Sequence, residues 1–125
     1  MKTRALVMFA HGARDARWAI PFERLQALVQ QQSPDVEVSL AFLELMTPRL
    51  PELVQQLEDK GVTEVTIVPV FFGRGGHLLR DLPEMVEQLK HDHPELTMKV
   101  AGAVGEDDGV LNAIAKYCVD SLGAQ

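Results

Sequence analysis

The chain has 125 residues, 46% of them hydrophobic, which is enough for one core and too short for two domains of ordinary size. Its formal net charge of -6 sets it against nucleic acid and anionic membrane surfaces, and no apolar run approaches the ~20 residues that span a bilayer. The lone Cys118 cannot form an intramolecular disulfide and the N-terminus enters an apolar segment with no cleavage signature, so a soluble cytoplasmic domain covering residues 1–125 is expected.

Ala5 to Ala10 is an uninterrupted apolar run, short enough for a buried strand, and it ends at His11-Gly12. Trp18, Phe22, Leu25 and Val29 then recur at helical spacing, with Pro21 tolerable in the first turn and Pro34 beyond the end. Val36 to Leu43 predicts a second strand, and Glu44 stands where it stops. Thr47 and Pro48 read as the N-cap and first-turn proline of a helix that carries Leu50, Leu53, Val54 and Leu57 on one side and closes at Gly61.

The stretch from Val65 is β-branched and aromatic with little polar alternation, as a central strand covered on both faces requires. Gly73, Gly75 and Gly76 break it and leave His77 at the exit of a loop able to approach a flat ligand closely. Asp81 with Glu84, and Pro83 between them, predict the start of a third helix bearing Leu82, Met85, Val86 and Leu89. Thr97 to Ala103 is a fourth strand, and Asp107 or Asp108 caps a last helix whose buried side is expected to be Leu111, Ile114, Ala115, Cys118, Val119 and Leu122. The order βαβαβαβα predicts an α/β fold of three layers, a four-stranded parallel sheet with helices on both faces.

Periodicity places His11, Glu44 and His77 at the carboxyl ends of the first three strands, the edge at which open α/β sheets bind ligands. Two imidazoles and a carboxylate suit a borderline divalent metal such as cobalt, iron, nickel or zinc and leave positions free for exchange, whereas Mg²⁺ or Ca²⁺ asks for more oxygen. Each residue also has a plainer use, as a hydrogen-bonded strand-end histidine or, for Glu44, as a partner of Arg49. His91 and His93 read as helix C-terminal caps, Cys118 as core, and Met8, Met46 and Met85 as gap fillers. Gly73-Arg74-Gly75-Gly76 is neither a dinucleotide fingerprint nor a P-loop. Arg14, Arg17, Arg49, Arg74 and Arg80 crowd the same edge of an acidic chain, where guanidinium groups can pair with the carboxylates of an anionic ligand.

At A-H-G-A-R-D, A-F-L-E and P-V-F-F-G-R-G-G-H-L-L-R-D-L-P the chain resembles the sirohydrochlorin chelatase family, the short single-domain form of the class II tetrapyrrole chelatases. The resemblance runs from Ala5 to about Gly105. It implies that His11, Glu44 and His77 bind the incoming metal and that the protein works as a homodimer; from their own position at the ligand edge, Gly73, Arg74, Gly75, Gly76, Arg80, Arg14 and Arg49 are expected to face the substrate. One departure is Ala13, where many members carry a serine hydroxyl near the first imidazole; the histidine-rich extension of some relatives is also absent from the sequence.

The expected reaction inserts a divalent metal substrate, Co²⁺, Fe²⁺ or Ni²⁺, into sirohydrochlorin on the way to sirohaem or cobalamin, with release of two pyrrole protons and no organic cofactor. Imidazoles bind metal only when deprotonated, so activity is expected to fall in mild acid. Two other readings are a non-catalytic metal carrier or regulator using the same ligands, and a histidine-phosphatase-like phosphotransfer enzyme, which His11-Gly12 suggests and Ala10 in place of arginine argues against.

Overall fold

The computed structural model describes residues 2–72 and 76–123, the side chains of residues 76–80 excepted. In chain order the elements are β1 (Arg4–Ala10), a 3₁₀ turn (Ala16–Ala19), α1 (Ile20–Gln32), β2 (Glu37–Phe42), α2 (Leu50–Asp59), β3 (Glu64–Pro69), α3 (Gly76–Asp92), β4 (Thr97–Val100), a second 3₁₀ turn (Val104–Glu106) and α4 (Asp108–Asp120). The strands form one four-stranded sheet of order β2-β1-β3-β4, parallel throughout, with β1 and β3 interior.

Because side chains alternate along a strand, the register divides the apolar residues between two faces. Val7, Phe9, Ala41, Val65, Ile67 and Met98 face α2 and α3 and meet Leu50, Leu53, Val54, Leu57, Leu82, Val86 and Leu89 in the main core. On the other face Ala10, Leu40 and Phe42 meet Trp18, Ala19 and Phe22, at α1 and the turn before it. Helices therefore lie on both faces, as expected, and the main core is on the α2/α3 side.

Strand β2 is an edge, and α1 covers it with amides as much as with carbon. The Gln30 side chain donates to the carbonyls of Ser33 (3.2 Å) and Val36 (2.8 Å) and accepts from the Val38 N–H (3.1 Å), and Gln26 donates to the Val38 carbonyl (3.0 Å). Backbone groups that would otherwise invite another strand are thereby satisfied.

Three expectations are corrected. Helix α2 begins at Leu50, not behind Thr47: Arg49 is its N-cap and Pro51, not Pro48, is the first-turn proline. Helix α3 begins at Gly76, five residues before Asp81, so Pro83 lies inside it and removes one backbone bond from the ladder. The stripe of α4 is not buried at all: Leu111, Ile114, Val119 and Leu122 are exposed, as is Cys118. Periodicity reports that a helix has an apolar side, but not whether its own chain covers that side.

Candidate functional site

The β1–β2 pairing continues past both strands. The Leu43 N–H donates to the Ala10 carbonyl (2.8 Å) and the Glu44 N–H to the His11 carbonyl (3.0 Å), so the backbones of His11 and Glu44 are bonded neighbours at the carboxyl edge although 33 positions apart in the chain. Gly12 makes this approach possible. It has φ of 97°, and a Cβ there would stand 1.8 Å from the Glu44 carbonyl oxygen, so no other residue fits without moving that strand end.

On the other side of β1, the Val70 N–H donates to the Phe9 carbonyl (2.8 Å) and carries the edge on to Phe71. The Phe71 ring is buried and tilted against the His11 ring, with centroids 4.9 Å apart. The half-buried imidazole thus has one side on an aromatic support, which limits its rotation. Gly105 closes the group from the β4 side: its N–H donates to the Phe71 carbonyl (3.2 Å), and a Cβ on it would meet Phe72 backbone at 2.3 Å. Phe72 (62% exposed) and Leu45 (57% exposed) remain open to solvent beside His11 and Glu44.

His77 lies in the first turn of α3, next after the β3 edge, and its side chain is outside the described residues, as is that of Arg80. Gly73, Arg74 and Gly75 are also outside them, and Gly76 is the first residue of α3. Among the described residues, which do not include the His77 side chain, no cluster of three or more His, Cys, Asp or Glu is positioned to hold a metal ion. Glu44, Arg14 and Arg49 are exposed, with the Arg49 N–H 3.4 Å from a Glu52 carboxylate oxygen. Arg17 is exposed and ion-paired. Its guanidinium is 2.7 Å from Asp15, whose carboxyl is held below the usual range first by that side-chain bond and then by the Arg17 N–H.

His93 directly follows the last residue of α3 and its N–H donates to the Leu89 carbonyl (2.9 Å), the helix C-terminal position expected of it, and its side chain has a further partner. The residue is buried, and its Nδ1 lies 2.9 Å from Glu58 Oε1, joining the end of α3 to the end of α2 at the sheet edge opposite His11. Phe71, Phe72, Leu45 and Gly12 were not singled out in sequence. The two phenylalanines read as strand, and nothing local in L-E-L-M marks Leu45 as the residue with φ of 68°.

The CbiX family matches residues 5–120. The chain belongs to that family. A curated relative, the sirohydrochlorin cobaltochelatase of Methanopyrus kandleri, is 32% identical over 82 residues, which are 66% of this chain and 57% of that protein. The sirohydrochlorin cobaltochelatase of Sulfolobus acidocaldarius is 23% identical across 96% of this chain and 94% of its own length. Among solved structures, a CbiX protein of Marinobacter aquaeolei VT8 described for cobalamin biosynthesis superposes with a TM-score of 0.85 at 31% identity, covering 95% of this chain and 97% of that one. The sirohydrochlorin chelatase SirB of Bacillus subtilis, solved with cobalt, shares the fold at 21% identity and a TM-score of 0.79; 96% of this CbiX chain matches 51% of it.

Proposed function

We propose that the chain inserts a divalent metal ion into sirohydrochlorin. The reaction balances as M²⁺ plus the macrocycle with its two inner N–H groups, giving the metal complex and two protons. The observation that carries it is the bonded contact of the His11 and Glu44 backbones at the edge where β3 leads into the turn of His77. Family membership and relatives named cobaltochelatase support the same reading.

In this proposal His11 and His77 hold the ion and Glu44 supplies a third bond and takes up departing protons. The exposed Phe72 and Leu45 give a planar ring an apolar seat, and Arg14 and Arg49, with Arg74, Arg80 and the glycines 73, 75 and 76, meet its carboxylates and let it approach. Cobalt or iron is the metal, with nickel a further substrate, and the product enters sirohaem or cobalamin synthesis. The chain acts as one domain over residues 1–125, in the cytoplasm, as a homodimer, without an organic cofactor.

Anaerobic insertion of Co²⁺, Fe²⁺ and Ni²⁺ into sirohydrochlorin, followed by visible spectrum, tests it. His11→Ala and His77→Ala are each expected to lower turnover by about 100-fold or more, since losing even a residue that only supports a metal ligand costs about 10–100-fold. Wild-type turnover in both histidine variants rejects the assignment.

A further inference from the structure

The carboxyl edge of the sheet is a bonded rim that follows the order of the strands. Beyond β2 the Glu44 N–H donates to the His11 carbonyl, beyond β3 the Val70 N–H donates to the Phe9 carbonyl, and beyond β4 the Gly105 N–H donates to the Phe71 carbonyl (3.2 Å). Strands β1 and β3 pair Phe9 with Pro69, so two places further on His11 and Phe71 stand side by side on the α2/α3 face. The pairing of Ile67 with Val100, continued in the same way, sets Gly105 against Phe72.

A metal-bound imidazole is ordinarily aimed by a hydrogen bond from its other ring nitrogen to a carboxylate or carbonyl. Among the described residues neither His11 ring nitrogen has a hydrogen-bond partner, and the ring that meets the imidazole is that of buried Phe71, with 52° between the planes. Phe71 is itself held from two sides. Its side chain belongs to the main core, and its carbonyl is bonded to a turn in which Ala103 is buried and the Ala103 N–H donates to the Glu106 carboxylate (3.3 Å). Gly105 lets that turn close on the end of β3. Its φ is not left-handed, so the need for glycine there is one of space: a Cβ would stand 2.3 Å from both the Cα and the carbonyl oxygen of Phe72.

We propose that Phe71 and Gly105 are positioning residues for His11: the Phe71 ring holds the imidazole at the angle that metal capture needs, and Gly105, across the sheet edge from it, sets where that ring lies. The inference rests on the reading of His11 as a metal ligand and names what aims it. Phe71→Leu replaces a flat ring by a smaller branched side chain, so the imidazole gains rotamers among which the metal must then select. Gly105→Ala forces the Phe71–Phe72 backbone away from the turn, and the Phe71 ring moves with it.

Two measurements on the purified protein test it: the His11 ring-proton resonances of the metal-free protein, and Co²⁺ titrations followed by visible absorption. Gly105→Ala is expected to displace the His11 resonances, because they feel the ring current of Phe71. Phe71→Leu and Gly105→Ala are each expected to weaken Co²⁺ binding about tenfold, the lower end of what is lost with a partner that orients a metal ligand (about 10–100-fold). Leu57→Ala, which loosens the same core toward the far end of α2, is expected to leave Co²⁺ binding unchanged. Wild-type Co²⁺ affinity in His11→Ala overturns the metal-ligand reading and this inference with it. If His11→Ala does weaken binding, three results overturn the positioning alone: wild-type affinity in Phe71→Leu and Gly105→Ala, an equal loss in Leu57→Ala, or His11 resonances that Gly105→Ala leaves in place.

Discussion

At Gly12 the backbone geometry and the chemistry meet in one residue. Its positive φ and its missing Cβ allow the β1 end to touch the Glu44 carbonyl, and that contact sets where the His11 imidazole and the Glu44 carboxylate start from. Gly12→Ala is expected to cost roughly 1–3 kcal/mol for the left-handed backbone, with a further cost for the clash, and to lower metal-insertion kcat while the protein still folds. Thermal melts and single-turnover assays read the two effects separately. On the proposed reading Arg49 only holds substrate and so contributes equally to ground and transition states; Arg49→Gln is then expected to raise KM several-fold with little change in kcat. A fall in kcat with KM unchanged would assign Arg49 to the reaction itself. Arg17, ion-paired with Asp15 at 2.7 Å and outside the residues assigned to substrate, is the control.

At the scale of elements, α2 and α3 are joined twice, through the main core and through His93 against Glu58 at their ends. Removing the carboxylate leaves a buried ring nitrogen without its partner, so Glu58→Ala is expected to destabilise the fold by about 1–3 kcal/mol, measured by urea denaturation, with insertion activity at low temperature unchanged. Helix α4 begins with Asp107, whose side chain accepts from the Val110 N–H (3.1 Å). Asp107→Ala is expected to cost about 1 kcal/mol of helix stability, seen as faster amide exchange in α4 than in α2. Helix α3 shows how a local signal misleads. Asp81, Pro83 and Glu84 have the spacing of a helix start, yet the helix begins at Gly76, because Leu82, Val86 and Leu89 anchor it in the core strongly enough to carry a proline inside it.

For the whole molecule, charge and core make separate predictions. The chain has a formal net charge of -6, so the polyanionic substrate proposed above would approach against the mean field and, on that proposal, be drawn in by the arginines at the carboxyl edge. Salt screens charges separated by more than about 10 Å at 0.1 M, so it removes the repulsion of the mean field before the closer arginine contacts, and kcat/KM is expected to rise as salt is first added; a fall from the lowest salt upward would show that long-range attraction by the arginines governs. Leu57 is 1% exposed in the main core, and Leu57→Ala is expected to cost about 2–5 kcal/mol, detectable as a lowered denaturation midpoint.

The sequence alone determined the element order, the parallel sheet and the edge shared by His11, Glu44 and the turn of His77, because strand and helix periods are local and the βαβ rule allows few arrangements. It also showed an apolar side to the last helix. Tertiary structure decided the rest: that His11 and Glu44 are bonded neighbours through Gly12, that Phe71 supports the imidazole, that His93 turns inward to Glu58, and that α4 finds no cover on its own sheet. Each of these depends on which surfaces remain uncovered once the chain has closed on itself, and a hydrophobic pattern read residue by residue does not contain that information.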